Sequence, residues 1–232
     1  MAYLNRVNNL MGISENILRL KSELPPQVKL VAVSKFQPVS AIQEAYDAGQ
    51  RAFGESRPQE FAEKVQALPK DIDWHFIGHL QRNKIKLVLP YVSIVESVDS
   101  VELMDAMEKW CESAGRTVDI LIECHIAREE AKSGFAVDEA LSLLTGERTW
   151  SHLHIRGLMG MATNTDDEAV VREDFSKLIT LNAALQPLKG LCPNIPSDFG
   201  LLSMGMSDDY RIAVSMGANI VRIGTAVFGA RQ

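Results

Sequence analysis

The chain has 232 residues, of which 46% are hydrophobic and 23% are charged, and its net charge at pH 7 is -6. This is an ordinary globular composition with enough apolar residues for one large core or two small ones. The negative charge argues against nucleic acid or an anionic membrane as the main partner, so a small molecule is the expected partner.

The first predicted element is an N-terminal amphipathic helix. Apolar residues recur at intervals of three to four residues between Leu4 and Leu24, and Pro25-Pro26 ends the pattern. Gly12 weakens the middle of this helix, which is predicted over residues 1–24.

After the prolines, short apolar runs alternate with longer helical stretches. The runs predicted as strands are residues 28–34, 52–54, 74–78, 92–97, 118–125, 154–159, 200–204 and 219–224. The clearest helices between them are predicted over residues 38–48, 101–114, 166–185 and 208–216, where proline, acidic first turns and Gly115 act as start and stop signals.

Strands that are apolar on both faces and alternate with helices predict a parallel sheet covered on both sides. The eight units suit a single (β/α)8 TIM barrel that occupies residues 1–232 as one domain. An open doubly wound sheet is the alternative, but no GxGxxG follows the first strand. The chain after the eighth strand is too short for a full outer helix, so the N-terminal helix is expected to cover that position.

A lone lysine stands at the exit of the first predicted strand. Lys35 ends the run 28–34 and is followed by Phe36-Gln37-Pro38. A hydrated ammonium at the mouth of a hydrophobic strand is costly unless its pKa falls or it reacts. A lysine that acts as a nucleophile toward a carbonyl is placed in this way.

Residues 202–207 follow the seventh predicted strand, where barrels of this kind commonly bind phosphate. Gly205 allows close backbone approach, Ser203 and Ser207 supply hydroxyls, and the start of helix 208–216 offers free N–H groups. Turns of this composition are common, so the segment is not specific alone.

Residues 222–225 close the eighth strand, and Gly224 and Thr225 are expected to form a second wall of the same anion cradle. For either glycine alone, a simple tight turn is the more frequent explanation. Because the eighth strand neighbours the first in a closed barrel, Lys35 lies beside this cradle, and the functional interpretation becomes the stronger one.

An amine beside a phosphate cradle indicates a phosphorylated aldehyde, and pyridoxal 5'-phosphate (PLP) is the cofactor whose aldehyde lysine holds. Arg222 is a rare charge in the last strand, and its guanidinium needs an acceptor. The pyridine nitrogen of PLP is one candidate, and an ion pair with Glu55 or Glu123 is the alternative. A cation at that nitrogen disfavours ring protonation and weakens the electron sink that carbanion chemistry requires.

The order of motifs along the chain resembles the pyridoxal phosphate homeostasis protein family, whose members are similar to the barrel domain of alanine racemase. The matching motifs are Ala32-Val33-Ser34-Lys35, Phe53-Gly54-Glu55, Gln59-Glu60, His75-Phe76-Ile77-Gly78-His79-Leu80-Gln81-Arg82-Asn83-Lys84, Arg156-Gly157-Leu158-Met159, Leu202-Ser203-Met204-Gly205-Met206-Ser207 with Asp209, and Val221-Arg222-Ile223-Gly224-Thr225 to Phe228-Gly229.

The resemblance implies that Lys35 forms the internal aldimine with PLP, that Arg222 approaches the pyridine nitrogen, and that Met159 lies near the ring. The resemblance also implies that Ser203, Gly205, Gly224 and Thr225 surround the phosphate. The cofactor-binding residues expected in this way are Lys35, Met159, Ser203, Met204, Gly205, Arg222, Gly224 and Thr225. The chain departs from the family at Ser56, where an asparagine is usual, so any cofactor contact of that amide is doubtful here.

The function that the resemblance implies is the binding and supply of PLP, in PLP homeostasis, rather than catalysis. No second base for proton transfer across an α-carbon is evident, so no catalytic residue is assigned. A weak PLP-dependent amino-acid racemase is the alternative, and a Schiff-base aldolase is the third candidate.

The remaining expectations concern location and partners. Cys111, Cys124 and Cys192 lack CxxC spacing, and no apolar stretch is long enough for a signal peptide or a membrane span, so a cytoplasmic protein with reduced thiols is expected. The resemblance points to a monomer. The histidines show no metal-binding pattern, and the basic turn 81–86 is either a solvated face or a docking site for enzymes that take up PLP.

Overall fold

Eight parallel strands form a closed barrel in the computed structural model, which describes residues 12–129 and 133–229. The strands are β1 (Lys29–Val33), β2 (Ala52–Glu55), β3 (Asp73–Phe76), β4 (Ile94–Val98), β5 (Val118–Cys124), β6 (Leu153–Gly160), β7 (Leu201–Ser203) and β8 (Ile220–Ile223). Each strand pairs with the next along the chain, and β8 closes the barrel on β1. The predicted TIM barrel is confirmed.

Helices surround this barrel on the outside. They are α1 (Ile13–Glu23), α2 (Val39–Asp47), α3 (Pro58–Ala67), α4 (Ile85–Val88), α5 (Val101–Ala114), α6 (Val137–Thr145), α7 (Glu168–Leu185), α8 (Tyr210–Ser215) and α9 (Thr225–Phe228), with short 3-10 turns at Arg82–Lys84 and Gln186–Leu188. In the described part of the chain, no helix has both the length and the apolar character needed to cross a bilayer.

The N-terminal helix starts later than the periodicity predicts. Gly12 is the N-cap of α1, not a residue in the middle of a helix, and residues 1–11 of the predicted element lie outside the described residues. Ile17 and Leu20 are fully buried, and the Asn16 amide donates to the Val227 carbonyl of α9 over 3.1 Å. The expectation that this helix covers the eighth position is therefore confirmed.

The strands bury side chains on both faces, which gives the barrel two separate apolar cores. Leu30 and Ala32 belong to the large core between the sheet and the helices, whereas Val31 faces the interior of the barrel. The interior core contains Val31, Ala52, Ile94, Leu121, Met159 and Ile220. These residues plug the middle of the barrel, so the open ends of the strands are left to carry a site.

Candidate functional site

Lys35 lies in the turn that directly follows β1, at the rim formed by the C-terminal ends of the strands. Ala32 is paired in register with Ile223 of β8, and a Cβ on Gly224 would lie 3.5 Å from the Val33 side chain. The Lys35 turn and the start of α9 therefore share one side of the rim, as predicted from the closure of the barrel.

A buried acid–base cluster holds the residue before Lys35. The Ser34 hydroxyl donates to Glu55 Oε1 over 2.6 Å, and Lys64 Nζ donates to the same oxygen over 2.7 Å and to the Ser34 carbonyl over 2.8 Å. Burial raises the pKa of the Glu55 carboxyl, and the contacts with Lys64 and Ser34 offset this only in part. Lys64 was not identified from the sequence, because a lysine inside a helix reads as an exposed residue.

The same cluster extends to the residue after Lys35. Glu60 Oε1 accepts from Lys64 over 2.6 Å and from the Phe36 amide over 2.6 Å. Among the described residues, Phe36 is the non-glycine with a positive φ, at 65°, and the Arg57 guanidinium lies 4.2 Å from the centre of its ring. Because Glu60 accepts the amide in this strained turn, the turn keeps Lys35 at a fixed place on the rim.

The loop after β7 needs a glycine at position 205. Gly205 has a φ of +96°, and a Cβ there would lie 2.6 Å from the Ala213 Cβ. Its carbonyl accepts from the Arg222 amide over 2.9 Å, which ties the loop to β8. The glycine is therefore required by packing against α8, and the approach of its backbone to a phosphate stays a prediction.

Ser207 and α9 bring the two predicted halves of the anion cradle together. The Ala226 amide, in the first turn of α9, points to the Ser207 hydroxyl over 3.4 Å. Thr225 is exposed beside it, and Gly224 is partly buried at the N-cap of α9. Backbone N–H groups and two hydroxyls thus line one short stretch of the rim, which suits an oxyanion.

The side chains of two residues predicted to bind the cofactor, Ser203 and Met204, point away from the rim between the two loops. Ser203 is the last residue of β7 and turns its buried hydroxyl into the barrel, where it donates to Glu96 Oε2 over 2.5 Å. Met204 faces the opposite way and is fully buried in the outer core, and its amide donates to the Ile220 carbonyl over 3.2 Å. The alternation of side chains along a strand explains both orientations.

Arg222 lies inside the barrel with only 4% of its surface exposed. Its Nη1 donates to the Ser203 hydroxyl and lies 3.6 Å from Glu96 Oε2, and its Nη2 donates to the Gly160 carbonyl over 3.1 Å. The carboxylate beside Arg222 is therefore that of Glu96.

The two acids considered as Arg222 partners from the sequence have other contacts. Glu55 pairs with Lys64, and Glu123 accepts from the Ser133 hydroxyl over 2.9 Å. Glu96 was missed because it stands in an apolar run, and only its position in a buried strand could have indicated a paired charge.

Met159 belongs to the interior core and is paired in register with Ser203. It precedes Gly160, whose carbonyl accepts from Arg222. The residue expected near the cofactor ring thus directly precedes, in the chain, the residue whose carbonyl holds the guanidinium expected at the ring nitrogen. Within residues 12–129 and 133–229, no group of three or more His, Cys, Asp and Glu side chains is placed to hold a metal ion.

Comparison with known sequences finds one matching family and several similar proteins. Residues 9–232 match the family described as the N-terminal domain of alanine racemase. The pyridoxal phosphate homeostasis protein of Haemophilus influenzae is 41% identical over 208 residues, covering 88% of this chain and 86% of the relative. The protein of that name from Escherichia coli is 36% identical over 212 residues, covering 90% and 88%.

Solved structures agree with these sequence matches. PipY of Synechococcus elongatus, solved with PLP bound, superposes with a TM-score of 0.82 at 35% identity, over 94% of this chain and 100% of PipY. Alanine racemase from E. faecalis superposes with a TM-score of 0.76 at 16% identity, over 94% of this chain and 58% of the racemase. The second likeness shows a shared barrel fold alone.

Proposed function

The chain belongs to the pyridoxal phosphate homeostasis proteins, within the alanine racemase N-terminal domain family, and on this basis we propose that it binds PLP covalently through Lys35. One observation carries the proposal. The Lys35 turn, the loop after β7 and the start of α9 meet on one side of the barrel rim, with the Arg222 guanidinium below them. In this set, Lys35 matches the aldehyde of PLP, the two loops match its phosphate, and Arg222 matches its pyridine nitrogen.

The phosphate is assigned to the rim between the two loops. Gly205, Ser207, Gly224 and Thr225 are assigned the roles expected from the sequence, and the Ser207 hydroxyl lies beside the Ala226 amide of α9. Met204 contributes to this loop through its backbone, since its side chain packs in the outer core. Anion binding by N–H groups and hydroxyls needs no local lysine, which fits the net charge of -6.

The ring is assigned to the space above the interior core. Arg222 faces the pyridine nitrogen, Met159 contacts the ring, and Ser203 acts on the ring side through its bond with Arg222. When bound, PLP supplies an aldehyde that condenses with amines. An arginine at the ring nitrogen keeps that nitrogen unprotonated, which suits a carrier better than carbanion chemistry.

A role in holding and supplying PLP, without turnover of a substrate, is favoured by the positions of the tyrosines. Tyr46 donates to Asp71 over 2.7 Å and Tyr210 donates to Glu23 over 2.8 Å, both at positions outside the proposed PLP site. Tyr91 lies in the turn before β4, at the opposite end of the strands. Among the described residues, no tyrosine is thus available as the second base of a racemase.

We further propose a cytoplasmic monomer that releases PLP to enzymes that lack it. Release needs no catalytic base in this chain, because exchange of the cofactor between two amines is chemically simple once the acceptor amine reaches the rim. The basic turn at Arg82–Lys84 lies on the same rim and is the docking surface proposed for such enzymes.

Intact-mass measurement after borohydride reduction tests the proposal. The wild type incubated with PLP should gain one cofactor, located on Lys35 by peptide mapping, and Lys35→Ala should gain none. Lys29→Ala is the matched control, because Lys29 lies at the other end of β1 and pairs with Asp73. A wild type that gains no mass, or gains it equally in Lys35→Ala, would refute the proposal.

Two further outcomes separate the alternatives. A colourless protein that is trapped by borohydride with a sugar phosphate would favour the aldolase. Exchange of the alanine α-proton in deuterated water above the buffer rate would favour the racemase.

A further inference from the structure

Alternating charges cross the interior of the barrel from one end to the other. Lys29 Nζ lies 2.8 Å from Asp73 Oδ2, and this oxygen lies 3.4 Å from His75 Nε2. His75 Nδ1 bonds to Glu96 Oε1, and Glu96 Oε2 lies 3.6 Å from Arg222 Nη1. We call this set of five residues the interior charge ladder.

His75 forms the centre of the ladder and is suited to the charged state. Its side chain is 1% exposed, and each ring nitrogen faces a carboxylate. Burial opposes the charge, but the hydrogen bonds to Asp73 and Glu96 outweigh it and raise the pKa of the imidazole. Only the imidazolium can donate from both nitrogens, which two carboxylates require.

Glu96 connects this imidazolium to the Arg222 side of the barrel. It is fully buried, and one of its oxygens accepts from His75 while the other accepts from Ser203. Burial works against its charge, but the contacts with His75 and Arg222 lower the pKa of the carboxyl below its usual range. Glu96 is thus an ionised group that spans the interior from β4 to β7.

The far end of the ladder fixes the Arg222 guanidinium. Nη1 is held by the Ser203 hydroxyl and Nη2 by the Gly160 carbonyl, so two of its nitrogens have set partners. The hydroxyl that fixes Nη1 is itself oriented by Glu96, to which it donates. Without that carboxylate, Ser203 loses its charged acceptor and Arg222 loses the carboxylate 3.6 Å from Nη1, whereas the charges of Glu123 and Asp209 still act on Arg222.

From this connection we propose that Glu96, oriented by His75, is a positioning residue that fixes the place and the effective charge of Arg222 at the cofactor ring. The inference rests on the proposed PLP site, and it concerns residues of this chain that do not touch the cofactor. Glu96 lies between His75 and Arg222, and its negative charge offsets their positive charges. Removal of the Glu96 charge therefore makes the potential at the ring more positive. A more positive potential disfavours the protonated form of the Lys35 adduct.

The test compares Glu96→Gln with Asp73→Asn, which cuts the ladder at its distant end. Both substitutions should lower the pH at which His75 titrates in the free protein, followed by NMR of the ring nitrogens. Only Glu96→Gln should lower the pH midpoint at which the bound cofactor loses its visible absorption, by about one pH unit. A general loss of structure would move both variants alike, so the difference between them is the diagnostic result.

Ser203→Ala provides a second test if Glu96→Gln does not fold. It keeps the carboxylate and removes the bridging hydroxyl, and it should mobilise the Arg222 guanidinium in the free protein, visible as loss of its separate Nη signals in NMR. Unchanged Arg222 signals in Ser203→Ala, or an unchanged midpoint in Glu96→Gln, would overturn the inference. Failure of the wild type to form the Lys35 adduct is a different result, which refutes the proposed function instead.

Discussion

At the scale of single residues, Gly205 and Gly217 share a left-handed backbone but differ in their surroundings. Their φ angles are +96° and +100°, yet a Cβ on Gly205 would lie 2.6 Å from the Ala213 Cβ, whereas a Cβ on Gly217 meets no atom within 4 Å. Both alanine variants carry the strain of a left-handed residue, and only Gly205→Ala adds a steric clash.

We therefore expect Gly205→Ala to lower the free energy of unfolding by about 1 to 3 kcal/mol more than Gly217→Ala does. Because the clash pushes the loop after β7 away from α8, Gly205→Ala should also weaken PLP binding. Denaturant unfolding and absorbance titration of the two variants measure both effects. Equal PLP affinity in the two variants would show that the loop after β7 does not contribute to PLP binding.

The residues that the sequence could and could not predict differ in a physical way. Lys35 and Gly205 stand out because a charge at a strand exit and a glycine in a loop are visible as local exceptions. Glu96 does not stand out, because its partner Arg222 comes from a distant part of the chain. Lys64 does not stand out either, because a helical lysine gives no local sign that it folds back onto Glu55 of the preceding strand. Ser203 is the last residue of β7, whereas Ser207 lies in the loop after it, and this difference sets where their hydroxyls point. The sequence pattern locates the end of a strand only to within a few residues, so it could not distinguish the two serines.

At the scale of elements, α1 packs behind α9, which carries part of the proposed phosphate site. The Asn16 amide is 2% exposed and donates to the carbonyl of Val227, in the short helix α9 that carries Thr225. A helix of four residues has little stability of its own, so it depends on such contacts.

Asn16→Ala should therefore cost about 1 to 3 kcal/mol of stability, because it leaves a buried carbonyl without its donor. It should also weaken PLP binding, since α9 loses its support. Leu18→Ala on the same helix is the control, because Leu18 is 60% exposed and should change stability by less than about 0.5 kcal/mol. Calorimetry without and with PLP measures the stability and the PLP binding of each variant. If Asn16→Ala binds PLP as tightly as Leu18→Ala does, α1 does not support the proposed site through α9.

The strands were easier to predict than the inner face that they present. In a parallel sheet with both faces covered, each strand reads as an apolar run, and all eight runs coincide with observed strands to within a few residues. The same pattern makes the charges inside the barrel hard to recognise. Only every second residue of a strand faces the interior, so a single interior charge leaves the strand looking like an apolar run. The sequence therefore specifies the barrel well and its interior charge ladder poorly.

At the scale of the whole molecule, the buried ladder makes stability depend on pH. The pKa of His75 is raised in the folded state above its ordinary value of 6.5, so folding takes up a proton there. The stabilisation is complete below pH 6.5 and is lost as the pH rises through the folded-state pKa. Glu96 acts in the opposite direction, with stability lost as the pH falls below 4.5 through its lowered pKa.

We expect the free energy of unfolding to decline from pH 6.5 toward pH 9 in the wild type, and to decline less steeply in His75→Gln. The measurement stops at pH 9, because cysteines of the unfolded chain ionise above this pH. The pKa of buried Cys111 is raised in the folded state from 9.0 to about 11, so Cys111 would add its own pH dependence to the stability there. Urea unfolding at several pH values gives the two slopes. Parallel slopes would mean that His75 is neutral in the folded protein.

PLP binding and folding of the whole barrel should be linked, because the proposed site combines residues next to the first and last strands, which meet only when the barrel is closed. PLP at 100 times its dissociation constant should then stabilise the wild type by about 2.7 kcal/mol in a single cooperative transition. Pyridoxine 5'-phosphate, which has an alcohol in place of the aldehyde, should stabilise the wild type and Lys35→Ala equally, since it uses only the phosphate and ring contacts. The extra stabilisation by PLP should vanish in Lys35→Ala. Two separate transitions, of which PLP shifts one, would instead show that residues 1–232 do not form one folding unit.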